Sequence, residues 1–130
     1  MTNAFDAPTN VLVIDDEKGM RDMLFSTLTR QGYRVGLAED GERGVEKAGA
    51  EIFDVVICDI IMPGMGGVET LKLLKQREPA IEVIMTTGYA TLETAAVTLA
   101  LGAFDFITKP YELAALCALL EKAVVRRRGR

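Results

Sequence analysis

Val11-Leu12-Val13-Ile14-Asp15-Asp16-Glu17 is an unbroken aliphatic run that stops on three acids. A strand with one wet face alternates apolar and polar residues. A run that is apolar at every position instead predicts a parallel strand covered on both faces. Just beyond it, residues 17–31 carry Met20, Met23, Leu24, Thr27 and Leu28 at helical spacing, and Gly32 closes that helix where a left-handed residue is needed. Residues 33–38 read as a weaker strand, 42–49 as a short helix, and Val55-Val56-Ile57-Cys58 as a second fully apolar strand. The alternation continues with a helix over 67–77 closed by Pro79, a strand over 82–86, a helix over 92–101, a strand over 104–108 and a helix over 112–126. Five such units predict an α/β fold: a doubly wound, flavodoxin-like (βα)5 parallel sheet with helices on both faces. In a chain of 130 residues the expected strand order is 2-1-3-4-5. Ligands then bind outside the carboxyl ends of strands 1 and 3, where the order reverses. Residues 10–126 make the domain, 1–9 a flexible arm, and 127–130 a basic tail.

Composition removes several function classes. There is no histidine, which excludes imidazole-based triads, imidazole metal ligands and a phosphohistidine carrier. Cys58 and Cys117 lack CxxC spacing and read as buried small apolar residues, so a reducing, cytoplasmic setting is expected. Nineteen acids face fifteen bases, and four of those bases are Arg126, Arg127, Arg128 and Arg130. The eleven that remain leave the first 125 residues at −8, a poor surface for nucleic acid, which needs clustered Lys and Arg. No apolar run reaches the roughly 18 residues of a membrane span, and no secretory leader precedes the first strand.

A parallel sheet brings the residues that follow its strands to one edge. Here these are Asp15 and Asp16 after strand 1, Asp59 after strand 3, Thr86 and Thr87 at the end of strand 4, and Lys109-Pro110 after strand 5. Three carboxylates at one edge repel one another unless a hard cation sits among them, and Mg²⁺ takes oxygen ligands of this kind. A hydroxyl from Thr87 and an ammonium from Lys109 suit phosphoryl oxygens, which makes Asp59 a nucleophile able to form an acyl phosphate. Each residue also has a plain structural reading. Asp15-Asp16 could cap the following helix, Lys109 could be solvated, and Asp59 could belong to an Asx turn before Pro63. Three such coincidences at one sheet edge are the weaker account.

The ordered set Val11-Leu12-Val13-Ile14-Asp15-Asp16-Glu17, Asp59-Ile60-Ile61-Met62-Pro63-Gly64, Met85-Thr86-Thr87-Gly88 and Phe104-Asp105-Phe106-Ile107-Thr108-Lys109-Pro110 resembles the receiver domain of bacterial two-component response regulators. The resemblance implies that Asp59 accepts a phosphoryl group from the phosphohistidine of a cognate histidine kinase or phosphotransfer protein. It implies that Asp16 binds Mg²⁺ directly with Asp59 and the Ile61 backbone carbonyl, while Asp15 acts mainly through water. Thr87 would then move toward the phosphoryl group, Lys109 would pair with it, and the Lys109-Pro110 bond would be cis. Phe106 matches an aromatic switch residue; on its own chemistry it reads equally as static core. Such a domain is a signalling phospho-acceptor that assists its own transfer and slow dephosphorylation, and is not an enzyme acting on a separate substrate.

Other phosphate-handling families fit less well. A flavodoxin-like FMN binder needs a glycine-rich or hydroxyl-rich turn where this chain has Asp-Asp-Glu. A haloacid-dehalogenase-type phosphatase needs a second acid at position 61, which is Ile. A phosphorylation-independent interaction module usually lacks the acceptor or the acidic pair, and both are present. Ile61 and Tyr89, two positions after the acceptor and the hydroxyl, cannot orient a hydrolytic water, which predicts a slowly decaying phosphoryl group. Thr94–Ala103 and Leu113–Leu120 carry no charge. They read as small-residue surface helices, since Ala forms helix well, or, as the receiver resemblance implies, helices 4 and 5 with strand 5 form an apolar face for self-association or an output domain.

Overall fold

The computed structural model describes residues 8–88 and 92–129. Ten elements alternate along the chain: β1 (Asn10–Ile14), α1 (Lys18–Arg30), β2 (Arg34–Ala38), α2 (Gly41–Ala50), β3 (Val55–Asp59), α3 (Gly67–Arg77), β4 (Glu82–Thr87), α4 (Leu92–Ala100), β5 (Asp105–Thr108) and α5 (Leu113–Arg128). All four strand pairings are parallel, and the order is β2-β1-β3-β4-β5. The doubly wound sheet read from the apolar runs is therefore the fold, and its order reverses at β1 and β3.

The unbroken runs are explained by what covers them. Within β1, Leu12 and Ile14 join one core with Val56, Cys58, Leu71 and Leu74. Val11 and Val13 join the opposite core with Leu24, Leu28, Leu116, Leu120 and Ala123. Period-two alternation thus sends both sets inward, because α1 and α5 cover one face while α3 packs on the other. Two glycines let α2 approach β1 and the start of α3. A Cβ on Gly44 would lie 2.3 Å from Ile14 Cδ1, and one on Gly41 would lie 2.9 Å from the Met65 carbonyl oxygen.

Helix ends follow local chemistry. Asp40 caps α2 by accepting a hydrogen bond from Arg43 N at 2.8 Å. Gly32 has φ +96, and Gly32 N and Tyr33 N donate to the Thr29 and Leu28 carbonyls, which ends α1 as its sequence implies. The last helix runs two residues past its expected end. Its arginines are held at the amino edge of the sheet: Arg126 Nε lies 3.1 Å from the buried Glu82 carboxylate, Arg127 Nε lies 3.5 Å from Asp54, and Arg128 donates to Thr9 Oγ1 at 2.8 Å.

Candidate functional site

At their carboxyl ends β1 is tied to β2, β3 to β4 and β4 to β5 by backbone hydrogen bonds. Asp15 N donates to the Ala38 carbonyl at 3.1 Å, Ile60 N to Thr86 at 2.8 Å, and Lys109 N to Thr87 at 2.7 Å. These bonds carry the strand register past the sheet, so the side chains that follow converge. Behind Asp59 the chain turns into α3 through Gly66-Gly67, and Gly67 N donates to the Ile60 carbonyl at 2.7 Å. A Cβ on Gly67 would lie 2.3 Å from the Asp59 carbonyl oxygen, so only glycine lets α3 start this close to the acceptor strand.

Lys109 stands at the centre. Its Nζ lies 2.9 Å from Asp15 Oδ2, 2.9 Å from Asp59 Oδ2 and 3.5 Å from Glu17 Oε1. Asp15 and Asp59 are buried, whereas Glu17 is exposed. Two further backbone donors hold the carboxylates. Glu17 N donates to Asp15 Oδ1 at 2.8 Å, and Ile61 N lies 3.3 Å from Asp59 Oδ1. Burial pushes the Asp59 carboxyl above its ordinary range, a shift that Lys109 partly offsets and Asp15 reinforces. Burial alone would lower the Lys109 ammonium, but its hydrogen bonds to Asp15 and Asp59 outweigh that and raise it, so it stays charged. The neighbouring Tyr111 hydroxyl is pushed up to about 12, chiefly by burial.

Oxygen ligands from Asp15, Glu17 and Asp59 lie within 4.8 Å of one another. They form an all-carboxylate set without sulfur or nitrogen, which suits a hard divalent cation. Asp16, which the resemblance makes the direct ligand, is exposed and stands outside this group. Glu17 stands inside it. The structure shows how it comes to be there. Glu17 occupies the N-cap of α1, yet its side chain makes no capping hydrogen bond and reaches Lys109 instead.

The remaining sequence-read residues fall around this centre. Thr87 is fully buried at the end of β4, paired with Thr108 in the sheet register. Phe106 is half-buried on β5 and packs against the core that contains Met85. Ile61 is 60% exposed, so its side chain is on the rim of the site. Tyr89 lies outside the described residues. The Lys109-Pro110 bond is cis. Cys58 is buried with its thiol pushed up by burial and the nearby Asp59 and Asp15 charges, which makes it inert. Cys117 is half-buried and accepts from Gln31 Nε2 at 3.3 Å.

A buried carboxylate pinned between an ammonium and a backbone N–H, with further acids beside it, is equipped for phosphoryl capture. Its oxygen is the nucleophile, and the ammonium and any bound cation offset the charge that arrives. Known proteins agree. The family model of the response regulator receiver domain matches residues 11–121. The transcriptional regulatory protein ZraR of Escherichia coli strain K12 is 40% identical over 115 residues, covering 88% of this chain and 26% of ZraR. The chain thus spans about a quarter of the length of that relative. A CheY-like receiver domain protein from Methanospirillum hungatei JF-1 has a TM-score of 0.92 at 29% identity, covering 95% of this chain and 98% of that one. A chain of the CheX-CheY-BeF3-Mg²⁺ complex from Borrelia burgdorferi has a TM-score of 0.86 at 29% identity, covering 90% of each. On the acidic site, the strand order and these matches together, the chain belongs to the response regulator receiver domain family.

Proposed function

We propose that Asp59 receives a phosphoryl group from the phosphohistidine of a partner kinase or phosphotransfer protein. A carboxylate oxygen of Asp59 attacks phosphorus and forms the acyl phosphate. The P–N bond breaks, its electron pair returns to the imidazole nitrogen, and the ring, already protonated on its other nitrogen, leaves as neutral imidazole. One observation carries this reading: Asp59 is buried at the reversal point of the sheet, 2.9 Å from an ammonium that is also 2.9 Å from Asp15. The chain acts as a phospho-acceptor that assists its own transfer and not as an enzyme on a separate substrate. Its setting is the cytoplasm, and among the described residues no helix is long and apolar enough to cross a membrane.

Mg²⁺ is the cofactor that this donor set favours, and the Borrelia relative is a Mg²⁺ complex. Asp15 and Asp59 are the buried carboxylates placed to hold the ion, with Asp16 and the Ile61 carbonyl completing the set that family membership implies. When bound, the ion supplies charge neutralisation for the phosphoryl oxygens. Lys109 would then pair with the phosphoryl group, Thr87 would donate to it, and Phe106 would follow. This biases the face made by α4, β5 and α5 toward a second copy or an output domain.

The test is incorporation of phosphoryl from acetyl phosphate with Mg²⁺. One group per chain is expected in the wild type and none in Asp59→Asn, with the folded state retained. One group per chain in the variant would remove Asp59 as the acceptor.

A further inference from the structure

Glu17 is the carboxylate at this site to which the family reading gives no task. It lies at the N-cap of α1 without capping it, and its backbone N–H is held on Asp15 Oδ1 at 2.8 Å. That bond fixes the start of its side chain beside the buried pair. The Lys109 ammonium has three protons to donate and three carboxylates around it. All three present oxygens within 4.8 Å of one another, and Asp15 and Asp59 are the buried two. The third is 65% exposed and lies on the outer side of the ammonium's partners.

A cation entering between Asp15 and Asp59 competes with Lys109 for the same Oδ2 atoms, and like charge drives the two apart. The Lys109 backbone cannot follow, because its N–H is held on the Thr87 carbonyl at 2.7 Å. Only the side chain moves, and Glu17 is the acceptor that it already touches. We propose that Glu17 is a positioning residue acting through Lys109: it keeps the ammonium at the site once Asp15 and Asp59 turn to the metal, and so makes metal entry less costly. This rests on the reading above that a divalent cation is held by Asp15 and Asp59.

Titration calorimetry of the full chain with MgCl₂ tests it in four proteins: wild type, Glu17→Gln, Lys109→Gln and the double variant. Melting temperatures without metal establish that each is folded. Lys109→Gln should bind Mg²⁺ more tightly than wild type, since the competing ammonium is gone. Glu17→Gln should bind about two- to five-fold more weakly, the range set by one exposed ion pair. In the Lys109→Gln background the Glu17→Gln penalty should shrink by at least half. A direct Glu17 ligand, or simple attraction across space, gives the opposite: with the ammonium gone, the carboxylate acts on the ion undiminished and the penalty stays equal or grows. That result, or a Glu17→Gln protein that binds as tightly as wild type, overturns the proposal. If the wild type itself does not bind Mg²⁺ at millimolar metal, the underlying metal reading falls and the proposal falls with it.

Discussion

Asp59 combines two demands that oppose each other. As a nucleophile it must be ionised, yet burial holds its carboxyl above the ordinary range even with Lys109 at 2.9 Å. Between the ordinary aspartate range and that raised value the folded chain binds more protons than the unfolded one, so stability falls as pH rises through this window. Without divalent cation at pH 7.5, Asp59→Asn should therefore melt higher than wild type. The gap should close as pH falls through the raised Asp59 value, because protonation relieves the wild type of the same charge. Thermal melts across pH 4–8 check this, and a gap that widens toward acid would contradict it. Ile61 bears on the lifetime of the product. An amide there can orient a water that the aliphatic side chain cannot, so Ile61→Asn should release phosphate severalfold faster in a decay assay. Asp15, Asp59 and Lys109 were legible from sequence because each ends or directly follows a strand, where parallel topology leaves no choice of edge. The part of Glu17 was not. It sits where the chain turns from β1 into α1, and one residue of turn decides which side chain meets Lys109.

At the level of elements, the apolar runs of β1 and β3 specified burial on both faces, and from that came the parallel sheet. Charge-free helices were less readable. The stretches in α4 and α5 look alike in sequence, but their surroundings differ. Leu116 is fully buried among Leu120, Ile84 and Leu28, whereas Leu99 is 44% exposed and Val97 43%. Composition cannot separate a helix lying against a core from one with an apolar outer face, because the distinction rests on how each is rotated. The outcome separates two variants that seem equivalent from sequence. Leu116→Lys buries an unpaired ammonium and should cost at least about 3 kcal/mol, read as loss of cooperative unfolding at a normal temperature. Leu99→Lys should leave the melting temperature within about 2 °C, since a surface change is worth ~0.5 kcal/mol or less. If α4 is part of the output face, Leu99→Lys should also suppress self-association of the phosphorylated form in sedimentation. Unchanged association would place that contact elsewhere.

Over the whole molecule, charge is sorted to the two poles of the sheet. The carboxyl edge gathers acids around one lysine. At the amino edge the last turn of α5 places Arg126 against Glu82 and over the Phe104 ring, 5.7 Å from its centroid, and Arg127 against Asp54. Glu82 is the first residue of β4 and is buried, although its partner Arg126 is half-exposed. Thr87 ends the same strand five residues on, about 17 Å away at the rise of a β-strand. Removing Arg126 strips a buried carboxylate of a cation, the costly way to break such a pair, and also uncovers the Phe104 ring. A fully buried pair broken this way costs about 3–5 kcal/mol; solvent around Arg126 reduces the expectation for Arg126→Ala to about 1–2 kcal/mol. At ~17 Å, beyond the screening length of roughly 8 Å in physiological salt, that lost charge should not reach the acidic site. Arg126→Ala should therefore melt ~3–8 °C lower than wild type, yet take up phosphoryl from acetyl phosphate at an unchanged rate with unchanged Mg²⁺ dependence. An altered rate in a protein still folded at the assay temperature would mean that β4 couples its two ends, and that the arginines closing α5 act on the chemistry as well as on the fold.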